Sequence, residues 1–169
     1  MTVQCFVDAN ILVHYVDPSE PLKQELAAVL IKRLWVEQRA RTSIQALNEF
    51  YTVVRCKLSH VVAPGKAWAH MEDLLQWEPQ PVDAAVVREA RAIELRYKLN
   101  WWDSLILAAA QQQHCTVLYS EDFQHGATLG GVKVVNPFIA QVQEEPAPYA
   151  AQLISPHRPR GRPRKHATV

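Results

Sequence analysis

Val3-Gln4-Cys5-Phe6-Val7-Asp8-Ala9-Asn10 is the stretch from which the rest of the chain is read. Residues 3–7 are short, apolar and rich in β-formers, and they stop at an acid, so they read as a buried first strand. In open α/β sheets, ligands collect beyond the carboxyl ends of the strands, which makes position 8 a privileged address for a carboxylate. Asp is also a preferred helix cap, and capping the segment that starts at Asn10 is by itself a sufficient account of Asp8. The amide of Asn10 is suited to hold that carboxylate or a water.

Outward from this strand, apolar residues recur at helical spacing. Residues 10–16 begin a helix or a tight turn into one. Residues 22–39 carry Leu22, Leu26, Val29, Leu30, Leu34 and Trp35 along one stripe. A brief strand fits residues 41–43, and helices fit 44–58 and 66–77, the second announced by Pro64-Gly65. Asp83 caps a helix over 84–99 with Val86, Val87, Ala90 and Ile93 facing inward, and Asn100 caps another over 101–113. Residues 116–119 and 132–135 read as further strands. Helices alternating with short apolar strands predict an α/β domain around a parallel sheet.

Composition sets the boundaries. The 169 residues are 49% hydrophobic and 21% charged, enough for one globular core. The longest apolar run, 105–110, is far too short to span a bilayer, so no membrane partner is expected. No basic region precedes Asp8, which predicts no signal peptide. Cys5, Cys56 and Cys115 are odd in number and lack CxxC spacing, as expected of reduced thiols in the cytoplasm. The net charge of +1 conceals an asymmetry. Five of the 18 Lys+Arg and none of the 17 Asp+Glu lie from Arg158 onward, so a −4 body precedes a +5 tail. The chain therefore divides into a domain over 1–142, a Pro- and Glu-containing linker over 143–157, and a disordered basic tail over 158–169.

Three further acids share the setting of Asp8. Glu49 lies on the helix face opposite Ile44, Leu47, Tyr51, Val54 and Leu58, yet its neighbours there are Ala46, Phe50 and Val53. The helix then reads as apolar around most of its girth, and a carboxylate so placed needs a cation or hydrogen bonds; a solvated strip is the alternative. Asp103 begins a segment apolar on every side, and with Asn100 as N-cap it falls at the position that closes a capping box. Asp122 follows the second buried strand, with Glu121 as its rival for the slot. Brought together, such acids repel: two unit charges about 4 Å apart cost about 4 kcal/mol at an effective dielectric near 20. Only a divalent cation or raised pKa values make that tolerable, and all-oxygen donors favour Mg²⁺ or Mn²⁺ over zinc.

The strings FVDANILVHYVD (6–17), SIQALNEFYTV (43–53), WWDSLILAAA (101–110) and LYSEDFQHG (118–126), in this order, resemble the four acidic motifs of the PIN-domain family. Their spacing is similar to that of VapC-type toxins. The resemblance implies a Rossmann-like three-layer α/β/α sandwich with a central parallel sheet. It also implies Mg²⁺ or Mn²⁺ at the catalytic acids Asp8, Glu49, Asp103 and Asp122, with Asn10 and Ser120 orienting a carboxylate or water. The implied activity is endoribonuclease cleavage of RNA, in a homodimer silenced by a cognate antitoxin.

Other features carry less. The seven histidines show no metal-ligand spacing and read as structural or solvated, with His125 the one near Asp122. Trp101-Trp102 reads as core packing at a helix start, with stacking on a base as the functional alternative. Neither GxxxxGK nor GxGxxG occurs, so nucleotide-fuelled chemistry is unsupported. The tail departs from the family pattern. Arg158, Arg160, Gly161, Arg162, Arg164 and Lys165 lie in a Pro-flanked string similar to an AT-hook, which reads AT-rich DNA in the minor groove. A basic tail that clings to any polyanion is the competing account. A second function class follows from the tail: a DNA-binding or interaction protein with an idle domain, or a PIN nuclease outside toxin biology. The presence of all four acids speaks against an idle site.

Overall fold

The computed structural model describes residues 3–142. The linker and the whole basic tail, including Arg158, Arg160, Gly161, Arg162, Arg164 and Lys165, lie outside the described residues.

Among those residues the chain runs β1 (Gln4–Val7), α1 (Ala9–Val16), α2 (Pro21–Val36), β2 (Ala40–Arg41), α3 (Ile44–Cys56), α4 (Pro64–Leu75), α5 (Ala84–Tyr97), α6 (Trp101–Gln112), β3 (Cys115–Tyr119), β4 (Thr128–Leu129), β5 (Val132–Val135) and α7 (Pro137–Val142). The strands form one sheet in the order β2-β1-β3-β5-β4. The four strands from β2 to β5 are parallel neighbours, and β4 folds back on β5 as an antiparallel edge. The sheet is therefore mixed rather than wholly parallel. The central strands are parallel as expected, and the antiparallel edge has a local cause: Gly130-Gly131 both take positive φ and close a tight hairpin between β4 and β5.

Alternation along β1 divides the core in two. Cys5 and Val7 join a cluster with α1, α2, α3 and α4, while Phe6 joins a cluster with α5 and α6. Helices thus cover both faces, giving the three-layer α/β/α arrangement.

Two helical stripes are rotated from their expected setting. On α2 the buried residues are Ala27, Leu30, Ile31 and Leu34, whereas Leu22, Val29 and Trp35 are exposed. On α5, Val86, Ala90 and Ile93 face inward as expected, but Val87 is exposed. The strand expected at 41–43 ends at Arg41, because Ser43 is already the N-cap of α3, its Oγ accepting from Ala46 N at 3.1 Å. Lys98 takes a left-handed backbone at φ 58° and ends α5, and Asn100 starts α6 two residues later.

The topology brings several elements to one edge of the sheet. β1 and β3 are parallel neighbours with Val7 opposite Tyr119, so Asp8 and Ser120 emerge side by side. α6 feeds β3 directly, so it must run back along the sheet, and its amino terminus stands at the edge where the strands end.

Candidate functional site

Asp8 is buried, with 4% of its surface exposed. It is the N-cap of α1, its Oδ1 accepting from Ala9 N at 2.7 Å. Its other oxygen accepts from Ser120 Oγ at 2.7 Å and from Asn10 Nδ2 at 3.4 Å. Capping and a site role therefore coexist in one carboxylate. Burial pushes its pKa up to about 7, against the hydrogen bonds from Ser120 and Ala9, and the charges of Asp122 and Glu49 push it further.

Asn10 is the hub. Its Nδ2 reaches Ser120 Oγ at 3.1 Å and Asp122 Oδ2 at 3.0 Å, and its Oδ1 accepts from Glu121 N at 3.3 Å. Ser120 Oγ also accepts from Asp122 N at 3.2 Å. Asn10 and Ser120 thus tie the strand-end acids Asp8 and Asp122 into one network. Glu121 turns elsewhere: His14 Nε2 lies 2.6 Å from one of its oxygens and Lys23 Nζ 3.0 Å from the other. Burial would raise the Glu121 pKa, but these two contacts outweigh it and hold the carboxyl below its ordinary value.

Asp103 holds the expected third position after the N-cap, but only half of a capping box forms, because the return bond comes from the Asn100 side chain and not from its backbone N–H. The Asp103 N–H donates to Asn100 Oδ1 at 2.9 Å, and Asn100 Nδ2 donates back to Asp103 Oδ2 at 2.6 Å. Partial burial raises the Asp103 pKa, the Asn100 hydrogen bond opposes this, and Asp122 and Glu49 add to the rise. Ser104 Oγ donates to Asn100 O at 2.8 Å, a local helix-start contact.

Glu49 corrects the sequence reading. It is exposed on α3, as are Asn48 and Thr52, so the helix is not apolar all round. Gln45, one turn earlier, donates from Nε2 to Glu49 Oε1 at 2.9 Å and to Trp102 O at 3.3 Å. That amide links α3 to the start of α6. Trp102 also departs from expectation: 63% of its surface is exposed, while half-buried Trp101 packs against the core.

Glu49, Asp103 and Asp122 line one open cleft of about 820 Å³, together with Ile44, Gln45, Asn48, Val82, Asn100, Trp102 and Leu105. Asp8 joins them through Asn10 rather than by lining the cleft. Among the described residues no three His, Cys, Asp or Glu converge as a ready-made ligand set. In kind the donors suit a hard divalent cation: they are carboxylates from four separate segments. The raised pKa values of Asp8 and Asp103 come first from burial, with the charges of Asp122 and Glu49 adding to them. His125 is engaged structurally, its Nδ1 accepting from Asn136 N at 3.0 Å.

The PIN-domain family model matches residues 5–128. The chain belongs to the PIN-domain family. The match takes in all four acids and the whole network around Asn10. No curated protein matches the chain in sequence, but solved structures share its fold. The chain is similar to VapC20 of Mycobacterium tuberculosis, described as a sarcin–ricin-loop-cleaving toxin: 18% identity, 72% of this chain and 90% of that one covered, TM-score 0.53. A toxin–antitoxin complex from Klebsiella pneumoniae gives 19% identity, 79% and 98% coverage, and TM-score 0.60. A DNA-bound VapBC from Salmonella typhimurium gives 16%, 79% and 97%, and 0.55. Gln45 is the cleft residue that sequence reasoning missed. The available signal was the i, i+4 spacing of Gln45 and Glu49.

Proposed function

We propose that this PIN domain is an Mg²⁺- or Mn²⁺-dependent endoribonuclease and the toxin of a toxin–antitoxin pair. The observation that carries the nuclease reading is one open cleft lined by Glu49, Asp103 and Asp122, to which Asn10 and Ser120 tie Asp8. These four residues would hold the ion. When bound, it supplies Lewis acidity toward a phosphodiester and toward water. The chain contributes orientation: Ser120 and Asn10 fix Asp8 and Asp122, Asn100 fixes Asp103, and Gln45 fixes Glu49.

RNA as substrate and an antitoxin as partner are supported by similar structures, one a sarcin–ricin-loop-cleaving toxin and one a toxin–antitoxin complex. An apolar groove of about 430 Å³, with Leu12, Tyr15, Ile31, Trp35, Phe50 and Leu74 in its walls, offers surface that such a partner would bury. Homodimerisation belongs to the same proposal. Among the described residues no helix is long and apolar enough to cross a membrane.

The test is to express the full chain and its Asp103→Asn variant, map new RNA 5′ ends in the cell, and repeat cleavage with purified protein in Mg²⁺, Mn²⁺ and EDTA. Slowed growth, discrete cleavage sites and dependence on both metal and Asp103 are expected, with growth restored by a small neighbouring reading frame. Full cleavage by metal-free protein in EDTA would sink the mechanism. Harmless expression of metal-active protein would remove the toxin assignment and leave the nuclease.

A further inference from the structure

The acidic cleft has a second, apolar wall. Ile44, Val82, Trp102 and Leu105 share the lining of the cleft with Glu49, Asp103 and Asp122. Trp102 is 63% exposed and Val82 44% exposed, and neither belongs to a core cluster, whereas Trp101 does. The fold therefore uses one of the two adjacent indoles and leaves the other in solvent. This wall is fixed to the acids. Gln45 Nε2 holds both Trp102 O and Glu49 Oε1, and Trp102 precedes Asp103 in the first turn of α6.

We propose that Trp102 is a stacking platform for a nucleobase of single-stranded RNA, adjoining the phosphate held at the acids. The inference rests on the nuclease reading and adds the substrate's conformation and a specificity-determining residue. A nucleotide presents a flat apolar ring one sugar away from an anionic phosphate. The cleft offers an indole and aliphatic side chains together with a group of acids that a cation would neutralise. A base inside a duplex has its faces covered by its neighbours, so only an unpaired or splayed base can use such a wall. A protein segment matches both features only where a cationic side chain stands beside an apolar one, and the experiment separates that occupant from a base.

Base–aromatic stacking is worth about 1–3 kcal/mol per base, equivalent to roughly 5- to 150-fold in affinity. The experiment measures binding of the full chain, Trp102→Phe and Trp102→Ala to a short oligoadenylate and to an abasic ribose-phosphate oligomer of equal length. Ca²⁺ replaces Mg²⁺, and the RNA is checked for integrity afterwards. The basic tail sees the same phosphates in both probes, so its contribution cancels in the ratio of affinities. The wild type should prefer oligoadenylate within that range, Trp102→Phe should keep most of the preference, and Trp102→Ala should lose it. Because the side chain is exposed, Trp102→Ala should melt with the wild type, and in cleavage assays it should raise KM more than it lowers kcat. An unchanged oligoadenylate preference in Trp102→Ala overturns the platform, as does a variant that loses self-association or protein partners while keeping that preference. The two readings separate cleanly. RNA cleavage without a base preference refutes the platform and leaves the nuclease; a Trp102-dependent preference in a protein that cleaves nothing does the reverse.

Discussion

Asp8 shows how one side chain serves the fold and opposes it. Its Oδ1 caps α1, yet burial and two neighbouring acids raise its pKa from 3.8 to about 7. Between about pH 4 and pH 7 the folded state keeps a proton that the unfolded state has released, so metal-free stability should fall as pH rises through that window. The total from this group is at most about 4 kcal/mol. Ser120→Ala removes the 2.7 Å hydrogen bond that counters the shift. Asp8 should then stay protonated to higher pH, and Mg²⁺ affinity at neutral pH should drop about 10- to 100-fold. Melts in EDTA across pH and calorimetric Mg²⁺ titrations of wild type, Ser120→Ala and Asp8→Asn read both effects. A wild-type pH profile in EDTA that parallels Asp8→Asn would refute the account. The place of Asp8 at a strand end was legible in the sequence, because a short apolar run stops there at an acid, but that pattern fits a helix cap as well as a site acid. Glu49 was legible as a residue but not in its setting. The reading weighed Ala46, Phe50 and Val53 and overlooked Asn48 and Thr52, which share the exposed strip.

At the level of elements, α6 carries the test of whether a capping acid is also a site acid. Asn100 and Asp103 exchange two hydrogen bonds across the first turn, and Asp103 also faces the charges of Asp122 and Glu49. Asp103→Asn keeps an acceptor for Asn100 Nδ2 and removes the repulsion, so the metal-free fold should be unchanged or gain up to about 1 kcal/mol, water screening a half-exposed group. Asn100→Ala breaks the cap and should cost about 1 kcal/mol. Mg²⁺ should raise the melting temperature of wild type and Asn100→Ala but scarcely that of Asp103→Asn. Equal metal shifts in wild type and Asp103→Asn would reduce Asp103 to a cap. Helix starts such as Asp83, Asn100 and Pro64 were readable because capping chemistry is local. The inner stripe of α2 and the antiparallel edge at β4 were not, since what packs on Ala27 or pairs with Thr128 is decided by distant segments.

Across the whole molecule, charge separates what the fold joins. Residues 1–157 sum to −4 while the segment from Arg158 carries +5, and the acidic cleft belongs to the negative part. The basic segment should bind nucleic acid independently of the cleft, because five cations without an acid form a self-contained electrostatic footprint. If about four to five phosphates are neutralised, log affinity for duplex DNA should fall with log salt at a slope near about −4. Deleting everything after Pro156 should remove most of that slope and spare metal-dependent cleavage of a short RNA. Reading of the minor groove makes a sharper demand. AT-rich duplex should outcompete GC-rich duplex by a margin that survives moderate salt, because the exocyclic amino group of guanine obstructs the groove floor. Gly161→Ala should erode that margin while leaving nonspecific affinity nearly intact, since a methyl group holds the backbone off the floor. Equal affinity for AT and GC duplexes at every salt concentration would refute groove reading. The segment would then be a tether for any polyanion, the RNA substrate included, and its deletion should raise KM on long RNA more than on short.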